Sequence, residues 1–168
     1  MSTLTLHTNL GAIQIELDHK NTPVTSQNFL DYVKEGFYDG LIFHRVIKNF
    51  MIQGGGFKPG MQHKSARSAI ENEADKGEKH LRGTLAMART SDPHSASSQF
   101  FINVVDNHFL NHTQKSPQGW GYCVFGKVIS GMDVVDSIQH RPTTSRAGHQ
   151  DVPIEDVIIE KITFSEEK

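Results

Sequence analysis

Apolar and polar residues alternate near the start of the chain, where Leu4 and Leu6, then Ile13, Ile15 and Leu17, flank Asn9-Leu10-Gly11. A period of two, broken by a turn signal, predicts a hairpin with one buried face. The period then lengthens. Phe29, Leu30 and Val33 form a stripe of helical spacing that ends near Gly36. Thr22 can accept backbone donors as its N-cap, and Pro23 suits the first helical position. Short runs bounded by Gly, Pro, Asn or Asp predict strands over 41–46, 50–53, 84–88, 100–104 and 122–128. A second helix is expected from Gly131 to about His140, with Met132, Val135 and Ile138 on one side. Asp133 suits its positive end, and Arg141-Pro142 stops it. Alternation returns over 157–164, through Ile158, Ile162 and Phe164, in a run that can pair with the opening hairpin. Many short strands with two helices predict a mainly β fold, a closed or nearly closed antiparallel barrel.

Two segments, 58–82 and 106–121, lack any period and are rich in Gly, Ser, Asn, Gln, His and charge. Long loops in a compact domain tend to be functional or mobile. No repeat, linker or second domain interrupts the pattern, so residues 1–168 are expected to form a single domain.

Composition narrows the function classes. With 17 basic and 19 acidic residues the formal net charge is -2, which argues against nucleic-acid or membrane binding by bulk electrostatics. Basic residues are scattered and do not alternate with aromatic ones, as a base-stacking platform requires. Cys123 is the only cysteine, which rules out an intramolecular disulfide and fits a reducing compartment. The first residues lack a basic segment followed by an apolar run, and no stretch approaches a membrane span. The expectation is a soluble, cytoplasmic protein. Without a heptad or a second apolar face, it is expected to be a monomer.

Candidate chemistry centres on 43–56, where Arg45 is embedded among large apolar groups and followed by Gly54-Gly55-Gly56. A guanidinium beside Phe50 and Met51 can grip a weakly basic or anionic substrate atom. Alternatively, Arg45 is a solvated strand residue with its stem on Phe50. If the strands close, Phe50, Met51, Gln53, Ala88, Gln99, Phe101 and Leu110 surround it. Phe, Met and Leu would make an apolar pocket, and the two glutamines offer donors and acceptors to a peptide backbone. The same apolar residues equally suit an ordinary core. No general base is evident, so the chemistry would need no proton transfer. The triple glycine has neither P-loop nor GxGxxG spacing and reads as close backbone packing. Ten histidines include His108 and His112 at helical i, i+4 spacing, but no CxxC or HExxH accompanies them, and neither metal nor cofactor is expected. Cys123, in an apolar run, reads as a buried, inert thiol.

The motifs Phe43-His44-Arg45-Val46-Ile47, Phe50-Met51-Ile52-Gln53-Gly54-Gly55, Gly83-Thr84-Leu85-Ala86-Met87-Ala88, Ser98-Gln99-Phe100-Phe101-Ile102 and Val124-Phe125-Gly126-Lys127-Val128 together resemble the cyclophilin family of peptidyl-prolyl cis-trans isomerases. Their order and spacing match over nearly the whole chain. The stretch from Gln118 to Phe125 looks closest to the bacterial cytosolic branch. The resemblance implies a closed eight-stranded antiparallel β-barrel capped by two α-helices. It implies that Arg45 is catalytic, that Phe50, Met51, Phe101 and Leu110 hold the proline ring, and that Gln53 and Gln99 orient the substrate. Ala88 and the backbone of Arg89 would line the adjacent groove. Three positions depart from the best-known eukaryotic pattern: Tyr122 replaces a histidine, Phe109 a tryptophan and Arg89 an asparagine. Tyr122 can still close the pocket. Phe109 lacks an indole N–H, so the resemblance implies weakened cyclosporin binding. The partners implied are proline-containing peptides and unfolded proteins; the alternative is a non-catalytic proline-peptide binding module or chaperone on the same scaffold.

Overall fold

The computed structural model describes residues 2–166. The opening alternation forms its hairpin: β1 (Ser2–Thr8) and β2 (Gly11–Leu17) run antiparallel, with Leu4 opposite Ile15 and Leu6 opposite Ile13. All four side chains are fully buried. At the turn, Gly11 has a φ of 134°, and a Cβ there would lie 2.8 Å from Val134 Cγ2, so the close approach needs glycine.

Helix α1 (Pro23–Lys34) begins with its proline, and Thr22 stands at the N-cap position. The expected threonine cap is not made. The Thr22 hydroxyl donates to Asp18 O at 2.8 Å, and the Glu73 carboxylate accepts instead from Thr25 N and the Thr25 hydroxyl, both at 2.7 Å. A carboxylate satisfies the orphan N–H groups and also complements the positive end of the helix dipole. The buried stripe sets Phe29 among Tyr38, Phe100 and Phe125, with ring centres 5.0, 5.2 and 5.1 Å away.

The remaining elements are β3 (Arg45–Ile47), β4 (Met51–Gly54), β5 (Phe57–Lys58), β6 (Gln62–His63), β7 (Thr84–Met87), β8 (Phe100–Asn103), β9 (Val124–Ser130), α2 (Met132–Gln139), β10 (Thr143–Arg146), β11 (His149–Pro153) and β12 (Ile159–Glu166). Eight strands form one antiparallel sheet in the order β12-β1-β2-β9-β7-β8-β4-β3. The pairs β5–β6 and β10–β11 are separate small hairpins. Apolar alternation does not announce either one, because most of their side chains are solvated.

The sheet is open, which corrects the expected closed barrel. Among the described residues its edges, β3 and β12, form no ladder, and an isolated bridge joins Ile42 to Ile158. Flanking it, Phe43 N donates to Val157 O at 2.9 Å and Ile159 N to Leu41 O at 2.7 Å. The edge strand β3 is three residues long and β11 packs against it, so little strand is left to complete a ladder. Side chains of Ile42, Phe57, Met61 and Val152 fill the seam instead.

Candidate active site

Register builds the site. Arg45 on β3 stands opposite Gln53 on β4, Gln53 opposite Phe101 on β8, and Phe101 opposite Ala86 on β7. A row of side chains thus crosses four strands. Successive side chains on a strand point to opposite faces. Ile52, Ile102 and Leu85 therefore enter the main core, while Met51, Phe101 and Ala86 form a second apolar cluster on the other face.

That second cluster buries Met51, Ala86, Phe101, Leu110 and Val124, with Phe50, Ala88 and Tyr122 half-buried around them. Leu110 comes from a short 3-10 turn, His108–Leu110. Tyr122 was expected in a strand but precedes β9; its N–H donates to Leu110 O at 3.0 Å, and its ring meets Phe101 edge-on at 5.9 Å. Phe109 is 75% exposed and stacks on Phe50 at 5.7 Å. Ala88 N donates to Gln99 O at 3.0 Å, which sets the neighbouring segment against the row.

Arg45 is exposed, and its Nη1 donates to Gln53 Oε1 at 3.4 Å; Gln53 Nε2 donates in turn to Gln99 Oε1 at 3.0 Å. Among the described residues no carboxylate pairs with Arg45, whereas Arg67, Arg82 and Arg146 pair with Glu35, Asp136 and Asp156. Most of its fork of donors is therefore open to a ligand. The glycines that follow serve close packing. A Cβ on Gly56 would lie 2.6 Å from the Gln99 amide, and one on Gly55, whose φ is 92°, 2.9 Å from Ser98 O.

Arg89 enters through its side chain as well as its backbone. Nε and Nη2 donate to Gly121 O at 3.1 and 2.8 Å, Nη1 donates to Thr90 O at 2.8 Å, and Cζ sits 4.3 Å from the Tyr122 ring centre. The guanidinium clamps Tyr122 by stacking and by holding the carbonyl just before it.

Sequence reasoning passed over three polar residues behind the pocket, His80, Asn103 and Asn107, which are 1%, 0% and 4% exposed. His80 lay in a segment read as irregular, and no local periodicity separates these three from surface residues. Of the histidines that were singled out, His108 is exposed and His112 Nδ1 lies 2.9 Å from Trp120 O. Among the described residues no group of three or more His, Cys, Asp or Glu is arranged to hold a metal. Cys123 is buried, and burial pushes its thiol up to about 12.

An arginine without a carboxylate partner among the described residues, two linked amides and an apolar cluster thus come together on one sheet face. Comparison with known proteins specifies the class. The family described as cyclophilin type peptidyl-prolyl cis-trans isomerase/CLD matches residues 3–164. The chain is 61% identical to peptidyl-prolyl cis-trans isomerase B of Escherichia coli K12, over 97% of this chain and 99% of that one. It is 60% identical to a peptidyl-prolyl cis-trans isomerase of Streptomyces antibioticus, over 95% and 96%. A Cryptosporidium parvum cyclophilin crystallised in the presence of the dipeptide Ala-Pro superposes with a TM-score of 0.83 at 30% identity, covering 98% of this chain and 99% of that one. The chain belongs to the cyclophilin family of peptidyl-prolyl cis-trans isomerases, and isomerisation of the bond preceding proline is its activity.

Proposed function

We propose that Arg45 is the catalytic residue and that the enzyme turns X-Pro bonds in unfolded or flexible protein segments. Phe50, Met51, Phe101 and Leu110 hold the proline ring, with Phe109 and Tyr122 at its rim. Gln53, Gln99, Ala88 and the backbone of Arg89 hold the flanking peptide. The observation that carries this reading is the guanidinium that has no carboxylate partner among the described residues and is tethered through Gln53 beside the apolar cluster. The relative crystallised with Ala-Pro supports it.

The chemistry follows from the peptide bond. Resonance makes it planar, with a rotation barrier of about 18–20 kcal/mol, and X-Pro bonds interconvert unaided in roughly tens to hundreds of seconds. Rotation breaks the conjugation and returns a lone pair to the prolyl nitrogen. An N–H from Arg45 aimed at that nitrogen binds the twisted state more strongly than either planar state, which lowers the barrier. The pocket fixes the ring while Gln53 and Gln99 guide the turning chain. No proton changes hands, so Arg45 needs only its permanent charge.

Phe109 has no indole N–H to offer, which weakens any cyclosporin complex. The single cysteine, buried and protonated, suits a reducing cytoplasm, and the one domain acts as a monomer. The test is two-dimensional NMR exchange on a short X-Pro peptide. Arg45→Ala is expected to keep its fold and lose about 100-fold or more in kcat/KM, roughly 2.7 kcal/mol of transition-state stabilisation. A folded, fully active variant sinks the assignment; peptide binding without exchange by the wild type leaves only a binding module.

A further inference from the structure

Two carbonyl oxygens on opposite walls of the proline pocket, those of Phe50 and Tyr122, are joined by a chain of buried side chains. Asn107 Nδ2 donates to Phe50 O at 3.0 Å and to Asn103 Oδ1 at 2.8 Å. Asn103 Nδ2 donates to Thr84 Oγ1 at 2.9 Å and lies 3.0 Å from His80 Nδ1, while His80 Nε2 lies 2.7 Å from Tyr122 O. A carbonyl oxygen only accepts, so the two ends determine every proton between them. At the Phe50 end, Asn107 must present its NH2; Asn103 then turns its oxygen to Asn107 and its NH2 to His80. At the Tyr122 end, Nε2 must carry a proton. A single state satisfies both requirements: a neutral imidazole with its proton on Nε2 and its lone pair on Nδ1.

The same ring supports the other walls. It lies nearly parallel to Phe101, 5.9 Å away at 13°. His80 N donates to Asn111 Oδ1 at 2.7 Å, and Asn107 N donates to His80 O at 2.9 Å. Leu110 N donates to Asn107 O at 3.0 Å, and Tyr122 N to Leu110 O at 3.0 Å. Phe50, Phe101, Leu110 and Tyr122 therefore all rest on one imidazole and two amides.

We propose that neutral His80 is a positioning residue of the isomerase, setting the walls of the proline pocket, and that its protonation uncouples those walls and weakens capture of proline peptides in acid. The proposal rests on the isomerase reading of the pocket. A proton added to Nδ1 would face the Asn103 NH2, donor against donor. Turning Asn103 over would set its NH2 against that of Asn107, which Phe50 O holds in place. No member of the chain can reverse alone, so the mismatch reaches both walls.

Among the described residues no charged group meets the imidazole to offset that proton. On its own segment Arg82 is engaged by Asp136 and, through its N–H, by Asp106. On the Tyr122 side Arg89 lies over the phenol ring, and His112 faces Trp120. On β9 the solvated Lys127 stands opposite Thr84. Burial holds the His80 imidazole below its ordinary pKa, so the neutral form persists into mild acid.

The experiment compares the full-length wild type with His80→Gln from about pH 8 to about pH 4.5, below the ordinary imidazole range. Glutamine can still donate toward Tyr122 O but has no titrating nitrogen. Wild-type KM is expected to rise by about tenfold per pH unit below the His80 midpoint, with kcat changed less because Arg45 and Gln53 lie outside the chain; His80→Gln lacks this limb. Long-range proton–nitrogen NMR should report the Nε2–H tautomer at neutral pH. The amides of Met51 and Cys123, each following an anchoring carbonyl, should titrate with the ring. An Nδ1–H tautomer, an unchanged acid limb in His80→Gln, or a flat KM while His80 titrates or stays neutral until unfolding would each overturn the proposal. If His80→Gln fails to fold, co-titration of ring, amides and KM in the wild type decides. If the wild type shows no turnover at any pH, the isomerase reading fails separately, and the peptide Kd must then rise in acid for the positioning role to stand.

Discussion

Strands β4, β7 and β8 carry two faces made from alternate residues of the same short runs. Inward, Ile52, Leu85 and Ile102 are fully buried and wholly apolar. Outward, Met51, Gln53, Phe101 and Asn103 mix apolar and amide groups, and the row ends at the exposed Arg45. Burying a polar group without a partner is costly, so the inward face excludes such groups. On the outward side the Asn103 amide meets Asn107, Thr84 and His80, the Asn107 amide donates to Phe50 O and Asn103, and most donors of the exposed Arg45 are left open to a ligand. On the proposed reading, stability resides on one side of the sheet and reactivity on the other, within a single backbone.

The sharpest way to break this division is to truncate each face in turn. Ile102→Ala opens a cavity in the inward face and is expected to cost about 4 kcal/mol, read as a lower midpoint in urea. Gln53→Ala, one strand away and facing outward, should change stability by less than about 0.5 kcal/mol while lowering kcat/KM about tenfold. An outward substitution that unfolds the protein as readily as the inward one would show that the faces are not separate.

A second test concerns the seam, where the inward rule is violated. His44 is 5% exposed, its Nδ1 has no partner, and its ring packs 4.4 Å from Phe57. Burial, with smaller contributions from His149, Arg45 and His63, lowers it from 6.5 to about 4. The unfolded chain takes up a proton near pH 6.5 and the folded chain resists until about pH 4. Stability is therefore whole above the upper value and lost as pH falls toward the lower, by up to about 3 kcal/mol. Urea unfolding of wild type and His44→Leu across that range should show the difference between them changing with pH; a constant difference would exonerate the histidine.

The smallest effect belongs at the outward rim. Phe109→Ala removes a ring that is 75% exposed, so stability should shift by less than about 0.5 kcal/mol. Its stacking on Phe50 predicts a few-fold rise in KM for peptides. A large loss of stability would extend the core to a residue that lies outside it.

Much of this was legible in the residues themselves. Leu4, Leu6, Ile13 and Ile15 specify their hairpin, and Phe29 with Val33 specifies the buried side of α1, because period is a local property of the chain. The apolar company of Arg45 made it the candidate for chemistry that is proposed above. Position along the chain could not say that Arg45 would escape a carboxylate while Arg82 would not, since Asp136 lies far away in sequence. Nor could it reveal that Arg89 would fold over Tyr122, as that contact joins residues distant in sequence.

By itself, then, the sequence determined the opening hairpin, the two helices and most strands of the main sheet, though not the small hairpins or the late start of the strand expected over 41–46, which begins only at Arg45, and it carries the family motifs. Only the tertiary structure decided that the sheet stays open, because β3 stops after three residues and side chains fill the seam. It decided that Glu73 rather than Thr22 serves α1, and that His80 lies between Asn103 and Tyr122. These outcomes depend on donors and acceptors brought together from distant segments, and a hydrogen bond exists only once the fold has set both of its ends in place.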